Sequence, residues 1–246
     1  MEPIHTHISR RYNAELEDIR SRVLHMGGFV EQQIDQAIDA LVNADTALGE
    51  RVIVADTRVN KMEVTIDEEC NQIIARRQPA AGDLRLIVAV IKTITDLERI
   101  GDEAERIARM AVHLAQEERP KNNYAEVQAL GRHIRQMLHN ALDAFARVDI
   151  EAALEVVRED LRADQEYAGI IRQMITFMME DPRTISRALN VIWAARSLER
   201  IGDHARNICE YIIYLVKGRD VRHISIEQLE EDVLGRRIGR KPSQPE

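Results

Sequence analysis

The 246 residues suffice for one large domain or two small ones, and 45% hydrophobic against 31% charged residues allow both a buried core and solubility. A net charge of −8, with no basic stripe interleaved with aromatics, argues against a nucleic-acid partner. Apolar stretches such as "YIIYLV" at Tyr211–Val216 fall far short of the roughly 20 residues a membrane span needs, and "MEPIHTHISRRYN" has no apolar signal core, so a cytoplasmic location is expected.

Glycine (11) and proline (6) are scarce, and Ala, Glu, Arg, Ile, Leu and Val dominate, which predicts an all-α fold. The apolar periodicity gives helices over about 13–42, 45–77 and 83–116, with Asp45 and Asp83 expected as N-caps. "RQPAAGD" breaks the chain between the second and third of these, because proline cannot continue a helix. "EERPKNNY" around Pro120 separates them from three more, over about 124–148, 149–179 and 183–216. Long helices joined by short turns favour antiparallel neighbours. The expected architecture is two tandem, internally symmetric three-helix bundles over 1–119 and 120–220, then a C-terminal segment and basic tail over 221–246 ending in "GRRIGRKPSQPE".

The two halves repeat one another. LERIGD occurs at Leu97–Asp102 and again at Leu198–Asp203, 101 positions on. Upstream, Asp45, Asp56 and Asn60 align with Asp149, Asp160 and Asp164 at an offset of 104, which implies a shorter connector around Pro182 than around Pro79.

On a helical wheel of about 100° per residue, Glu98 and Asp102 continue the stripe of Ile87, Ile91 and Ile94. Glu199 and Asp203 continue that of Ala188, Ile192 and Ala195. On the middle helices, Asp56 and Glu63 fall among Val52, Val59, Ile66 and Cys70, with Asn60 at the edge. Asp160 falls among Val156, Ala163, Tyr167 and Met174, flanked by Asp164. Carboxylates carried into a buried face need a cation, either arginine or a metal. Acids four residues apart stand one turn apart, which suits shared oxygen ligation, and two such helices side by side suit a multinuclear site. Two readings stand: ligation of a cation, or ordinary pairing with Arg99, Arg106, Arg200 and Arg206. Gly101 and Gly202, each costing about 1 kcal/mol against alanine in a helix interior, are expected to permit close helix approach or leave room beside the acids.

The remaining candidates are weaker. Glu2–His5 is the only E-x-x-H, His5–His7 lies beside it, and His204 reads as a surface or groove residue. Lack of E-x-x-H on the long helices speaks against an oxygen-activating site, and no nucleophile–base pair or phosphate-binding glycine loop is visible. Cys70 and Cys209 read as small buried hydrophobes, with a disulfide or metal thiolate the lesser alternative.

The duplicated E-R-I-G-D helices, "ISRRYNAELEDIR", "VLHMGGFVEQQ", "RRQPAAGDLRLIVAVIKTITDLERIGD" and "GRHIRQMLHNALDAFARVDIEAAL" together resemble the PhoU family, from about Ile4 to about Val221. The resemblance implies two three-helix bundles and a non-enzymatic negative regulator of the phosphate-starvation response. Such a protein couples the phosphate ABC transporter, through its ATPase PstB, to the sensor histidine kinase PhoR, as a homodimer that meets the membrane only through its partners. It also implies multinuclear iron, zinc or another divalent cation held by Asp56/Asn60, Glu98/Asp102, Asp160/Asp164 and Glu199/Asp203. Asn60 departs from the acid pattern and predicts a weaker or differently populated first site. A carboxylate-bridged metalloenzyme and a purely structural helical scaffold are the alternatives.

Overall fold

Each repeat opens with a helical hairpin closed by the same device. Helix α1 (Arg10–Asn43) ends at Ala44 in the left-handed region (φ 54), and Asp45 then caps α2 (Thr46–Arg77) by accepting the Leu48 N–H at 2.9 Å. Helix α4 (Ala125–Arg147) ends at Val148 (φ 53), and Asp149 caps α5 (Ile150–Glu180) by accepting from Glu151 and Ala152. In both turns the capping aspartate's own N–H closes a carbonyl five residues back, Ala40 or Ala144, at 3.0 Å. The sequence expectation for Asp45 therefore holds, and its repeat partner does the same work. These helices belong to a computed structural model that describes residues 10–116, 124–222 and 224–234.

The second turns differ between repeats. From α2 the chain passes through Gln78 (φ 48), Pro79 and Ala80 into α3 (Ala81–Leu114). Asp83 is not the N-cap expected of it. It lies inside the first turn, buried against Tyr12, whose hydroxyl is pushed up to about 12 by burial and by that carboxylate. In the second repeat Asp181 alone separates α5 from a 3₁₀ turn (Pro182–Thr184) that runs straight into α6 (Ile185–Lys217). The shorter connector at Pro182 is thus present.

A further helix, α7 (Ile226–Leu234), packs on α5 through Leu229 and an Arg158–Glu230 ion pair of 2.7 Å. The sequence reading gave the segment after 220 no helix. Its start is a reciprocal cap: the Gln228 N–H donates to Ser225 Oγ at 3.3 Å, and the Ser225 N–H to Gln228 Oε1 at 3.4 Å. The Pro120 connector with the 119/120 boundary, the basic tail, and Glu2, His5 and His7 lie outside the described residues.

Helices α1, α2 and α3 form one bundle and α4, α5 and α6 the other, and the bundles pack face to face through α3 on α6 and α1 on α4. Polar ties show that α3 and α6 run antiparallel: Asp96 meets His204 at 2.6 Å and Asn207 at 3.2 Å, Glu103 meets Arg200 at 3.1 Å, and Arg85 reaches the Leu215 carbonyl at 3.3 Å. This register brings the two LERIGD copies opposite each other, with the fully buried Ile100 and Ile201 near the pseudo-two-fold axis. At the α1/α4 crossing, a Cβ on Gly27 would stand 2.6 Å from Leu142 Cδ2, and one on Gly131 2.5 Å from Ile38 Cδ1, so a methyl at either position would have to push that side chain aside. Among the described residues no helix is long and apolar enough to cross a membrane. Cys70 and Cys209 are free and buried; burial pushes the Cys70 thiol up to about 12, as for an inert packing residue.

Candidate metal centre

The first carboxylate groove forms where α2 and α3 meet above Gly101. A Cβ there would lie 3.3 Å from Asp56 Oδ1, 3.3 Å from Val59 Cγ1 and 3.5 Å from Gln33 Oε1. The glycine therefore lets oxygens from two other helices settle on the backbone of α3. Asp56 is buried; its Oδ2 accepts from Asn60 Nδ2 at 3.2 Å, while its Oδ1 has no hydrogen-bond partner. Asn60 Oδ1 and Gln33 Oε1 are also buried acceptors without a donor. Glu98 and Asp102, one turn apart on α3, are half-buried at the rim.

This groove is electrostatically crowded. Burial raises the Asp56 carboxyl, and the charges of Asp102 and Glu105 raise it further. Burial likewise raises Glu98, reinforced by Asp102, Glu63 and Asp56, and burial raises Glu63. Unpaired buried acceptors ringed by like charges are groups that a bound cation would satisfy. The donors are all oxygens, from carboxylates and amides, which suits hard or borderline divalent ions.

The second groove has the same frame and different occupants. A Cβ on Gly202 would lie 2.9 Å from Ile134 Cδ1, 3.7 Å from Asp160 Oδ1 and 3.8 Å from Met137 Cε. Met137 thus stands where Gln33 stands in the first repeat. Asp160 is buried, Glu199 half-buried, and Asp164 and Asp203 are exposed. Arg206 donates to Asp160 Oδ2 at 3.1 Å and to Glu210 at 3.2 Å. Burial still raises Asp160, but the guanidinium opposes it; burial raises Glu199, with Asp203 and Asp164 adding to it. At the position equivalent to Arg206, the first repeat carries Glu105.

Each expected set of four is therefore brought to one groove, although only Asp56 and Asp160 are fully buried. Among the described residues no three His, Cys, Asp or Glu side chains already converge at metal-ligating distance. His204, expected as a surface or groove residue, is buried in the α3/α6 interface with Nδ1 2.6 Å from Asp96 Oδ1, and it lines the cleft beside that contact.

The PhoU domain family matches residues 23–111 and 127–212, one match in each bundle. The chain belongs to the PhoU family. It is 54% identical to a phosphate-specific transport system accessory protein PhoU homolog of Pseudomonas aeruginosa, over 94% of this chain and 96% of that one. It is 52% identical to the phosphate-specific transport system accessory protein PhoU of Escherichia coli, over 95% and 96%. The crystal structure of PhoU from Pseudomonas aeruginosa superposes with a TM-score of 0.82 at 55% identity, covering 85% of this chain and all of that one. The phosphate transport system regulatory protein PhoU from Streptococcus pneumoniae gives 0.79 at 27% identity, covering 85% and 99%.

Within this PhoU frame, sequence reasoning missed the residues that distinguish the grooves. Gln33 had a readable signal: a lone amide in the α1 stripe of Met26, Val30, Ile34 and Ala37. Glu105 and Arg206 had one too, since a charge reversal at aligned positions beside the repeated LERIGD implies different electrostatics.

Proposed function

We propose that this chain is a non-enzymatic accessory regulator of a phosphate-specific transport system. In this reading it restrains the PhoR sensor kinase when the PstB-driven transporter signals ample phosphate. It acts as a cytoplasmic homodimer that reaches the membrane only through those partners. The observation that carries it is likeness across both repeats, at 52–54% identity over more than nine-tenths of the chain, to proteins named as accessory proteins of a phosphate-specific transport system. A deletion strain grown in high phosphate should derepress alkaline phosphatase. Full repression in that strain refutes the reading.

We further propose that the grooves hold divalent cations, iron or zinc, with the first groove the stronger. Its ligands would be Asp56, Asn60, Glu98 and Asp102, with Gln33 lending an amide oxygen. The support is the set of partnerless buried oxygens at Asp56, Asn60 and Gln33. This order is opposite to the one the missing charge at Asn60 suggested. At the second groove, Asp160, Asp164, Glu199 and Asp203 share space with Arg206, which a cation must displace from Asp160. Metal content and calorimetric titration with zinc and ferrous iron test this. Glu98→Gln/Asp102→Asn should abolish the tighter binding event and Glu199→Gln/Asp203→Asn the weaker one. No uptake by the parent protein, or uptake unchanged in both variants, ends the proposal.

A further inference from the structure

The pseudo-two-fold axis between α3 and α6 generates two equivalent clefts on that seam, and the segment after α6 lines only one of them. The first, of about 470 Å³, lies beside Asp96, His204 and Tyr211. The segment after α6 reaches into it: Arg222 lines it, Val221 is buried, and Lys92 stands 5.3 Å from the Tyr211 ring and 5.6 Å from that of Tyr214. The second, of about 340 Å³, lies beside Glu103, Met110, Trp193 and Ser197. Trp193 occupies the position of Lys92, Met110 that of Tyr211, and Glu103 that of His204. Trp193 is left 54% exposed.

The second cleft inverts the charge of the molecule. Arg106, Arg109, Arg196 and Arg200 line it, against the single carboxylate Glu103, in a chain of net charge −8. Glu103 is buried and bonds both Arg106 (2.6 Å) and Arg200 (3.1 Å), so one carboxylate fixes two guanidinium groups at the cleft wall. Arg196 lies over the Trp193 ring at 5.9 Å, and among the described residues no carboxylate bonds it. Arg109 holds Glu105 on its own helix. On α6 the exposed Ile185 and Leu189 precede Trp193 at successive turns, giving an apolar ridge about 12 Å long that runs into the arginines. Exposed Trp and Arg set around an apolar ridge are the residue types that anchor protein interfaces.

We propose that this cleft is the docking site for an acidic amphipathic helix of a protein partner. The partner's apolar face lies along Ile185, Leu189 and Trp193, and its carboxylates meet Arg196, Arg200 and Arg106. The charge of the cleft selects an acidic partner, and the turn-by-turn ridge on α6 matches the spacing of an amphipathic helix. The proposal rests on the adaptor reading, for which it supplies a contact surface.

Trp193 is the only tryptophan in the chain, so its fluorescence reports on the cleft alone. The full-length protein is titrated with the purified cytoplasmic part of the sensor kinase and, separately, with the transporter ATPase, with calorimetry in parallel. The expected result is that one of them shields Trp193 from acrylamide quenching, and that Trp193→Ala and Arg196→Glu each weaken binding at least tenfold by calorimetry. Both sites are exposed, and unchanged circular dichroism and melting confirm folding. Affinity should also fall as salt rises. Binding with unaltered Trp193 quenching and parent-like affinity in both variants overturns the docking site and leaves the adaptor reading standing. Binding of neither partner to the parent protein overturns both.

Discussion

The two grooves make one substitution a comparative test. Asp56→Asn and Asp160→Asn occupy equivalent positions, preserve shape and remove one buried charge each. At Asp56 the charge has no cation bonded to it, burial and two acids disfavour it, and Oδ1 is a partnerless buried acceptor. An unsatisfied buried polar atom costs about 1–3 kcal/mol. The carboxamide removes that disfavoured charge and leaves a neutral group of the same shape above Gly101. In chelator-treated buffer at neutral pH, Asp56→Asn should therefore stabilise by about 1–2 kcal/mol. At Asp160 the same relief is offset by loss of the charged bond from Arg206, which is worth about 1.5–3 kcal/mol. Asp56→Asn should thus exceed Asp160→Asn by about 1.5–3 kcal/mol, or roughly 3–12 °C in Tm for a chain of this size. Urea titration followed by circular dichroism measures both. Equal effects, or a reversed order, would refute the claim that Arg206 is what distinguishes the grooves.

Three further outcomes follow from other parts of the fold. Val148 holds φ 53, a conformation costly for a β-branched residue, so Val148→Gly should stabilise by about 1 kcal/mol in the same titration; a loss would show that the side chain's packing outweighs the strain. The adjacent glycines of α1 should respond in opposite directions. Gly28→Ala meets nothing within 4 Å and should gain about 1 kcal/mol, whereas Gly27→Ala drives a methyl to within 2.7 Å of both Leu142 methyls and should lose about 1–2 kcal/mol net in thermal unfolding. In metal-free protein, Asp56, Glu63 and Glu98 titrate above their ordinary range, so the native state binds more protons than the unfolded chain across that window. Their penalty is absent below the unfolded values, grows as pH rises through the window, and is constant above it. The stability gap between Asp56→Asn/Glu98→Gln and the parent should widen accordingly from acid toward neutral pH, and a gap that narrows would contradict the shifts.

How far the sequence reaches can be judged from particular residues. Helix periodicity, the Asp45 cap, the connectors at Pro79 and Pro182 and the repeat itself were legible, because each is set within a few residues of chain. Asp83 failed as a cap because Tyr12, distant in sequence, gives its carboxylate a buried partner inside the first turn. The face-to-face packing of the bundles was not legible. A single-stripe reading assigns one seam to each helix, yet α3 and α6 are buried on two faces, and their second face is made of Ala89, Thr93, Asp96, Ser197 and His204 rather than a strongly apolar run. Helix α7 went unseen although the Ser225–Gln228 pair carries a capping-box spacing, because a single short amphipathic turn is a weak signal beside a basic tail.

The repeated LERIGD satisfies three neighbours at once. Its isoleucine meets the pseudo-symmetric face at the axis, its glycine admits the aspartate of the middle helix, and its two acids line the groove that aspartate enters. Substituting any of these positions disturbs a contact that both repeats share, so the motif itself leaves little room for the copies to differ. The differences lie one step outside it. Gln33 faces one glycine and Met137 the other. Glu105 adds charge to one groove and Arg206 cancels it in the other. Glu103 anchors arginines in one cleft where His204 binds Asp96 in the other. Under the two proposals, a symmetric frame with asymmetric surroundings gives the grooves unequal affinity for a cation and offers one cleft to a partner, and the flanking residues carry that difference.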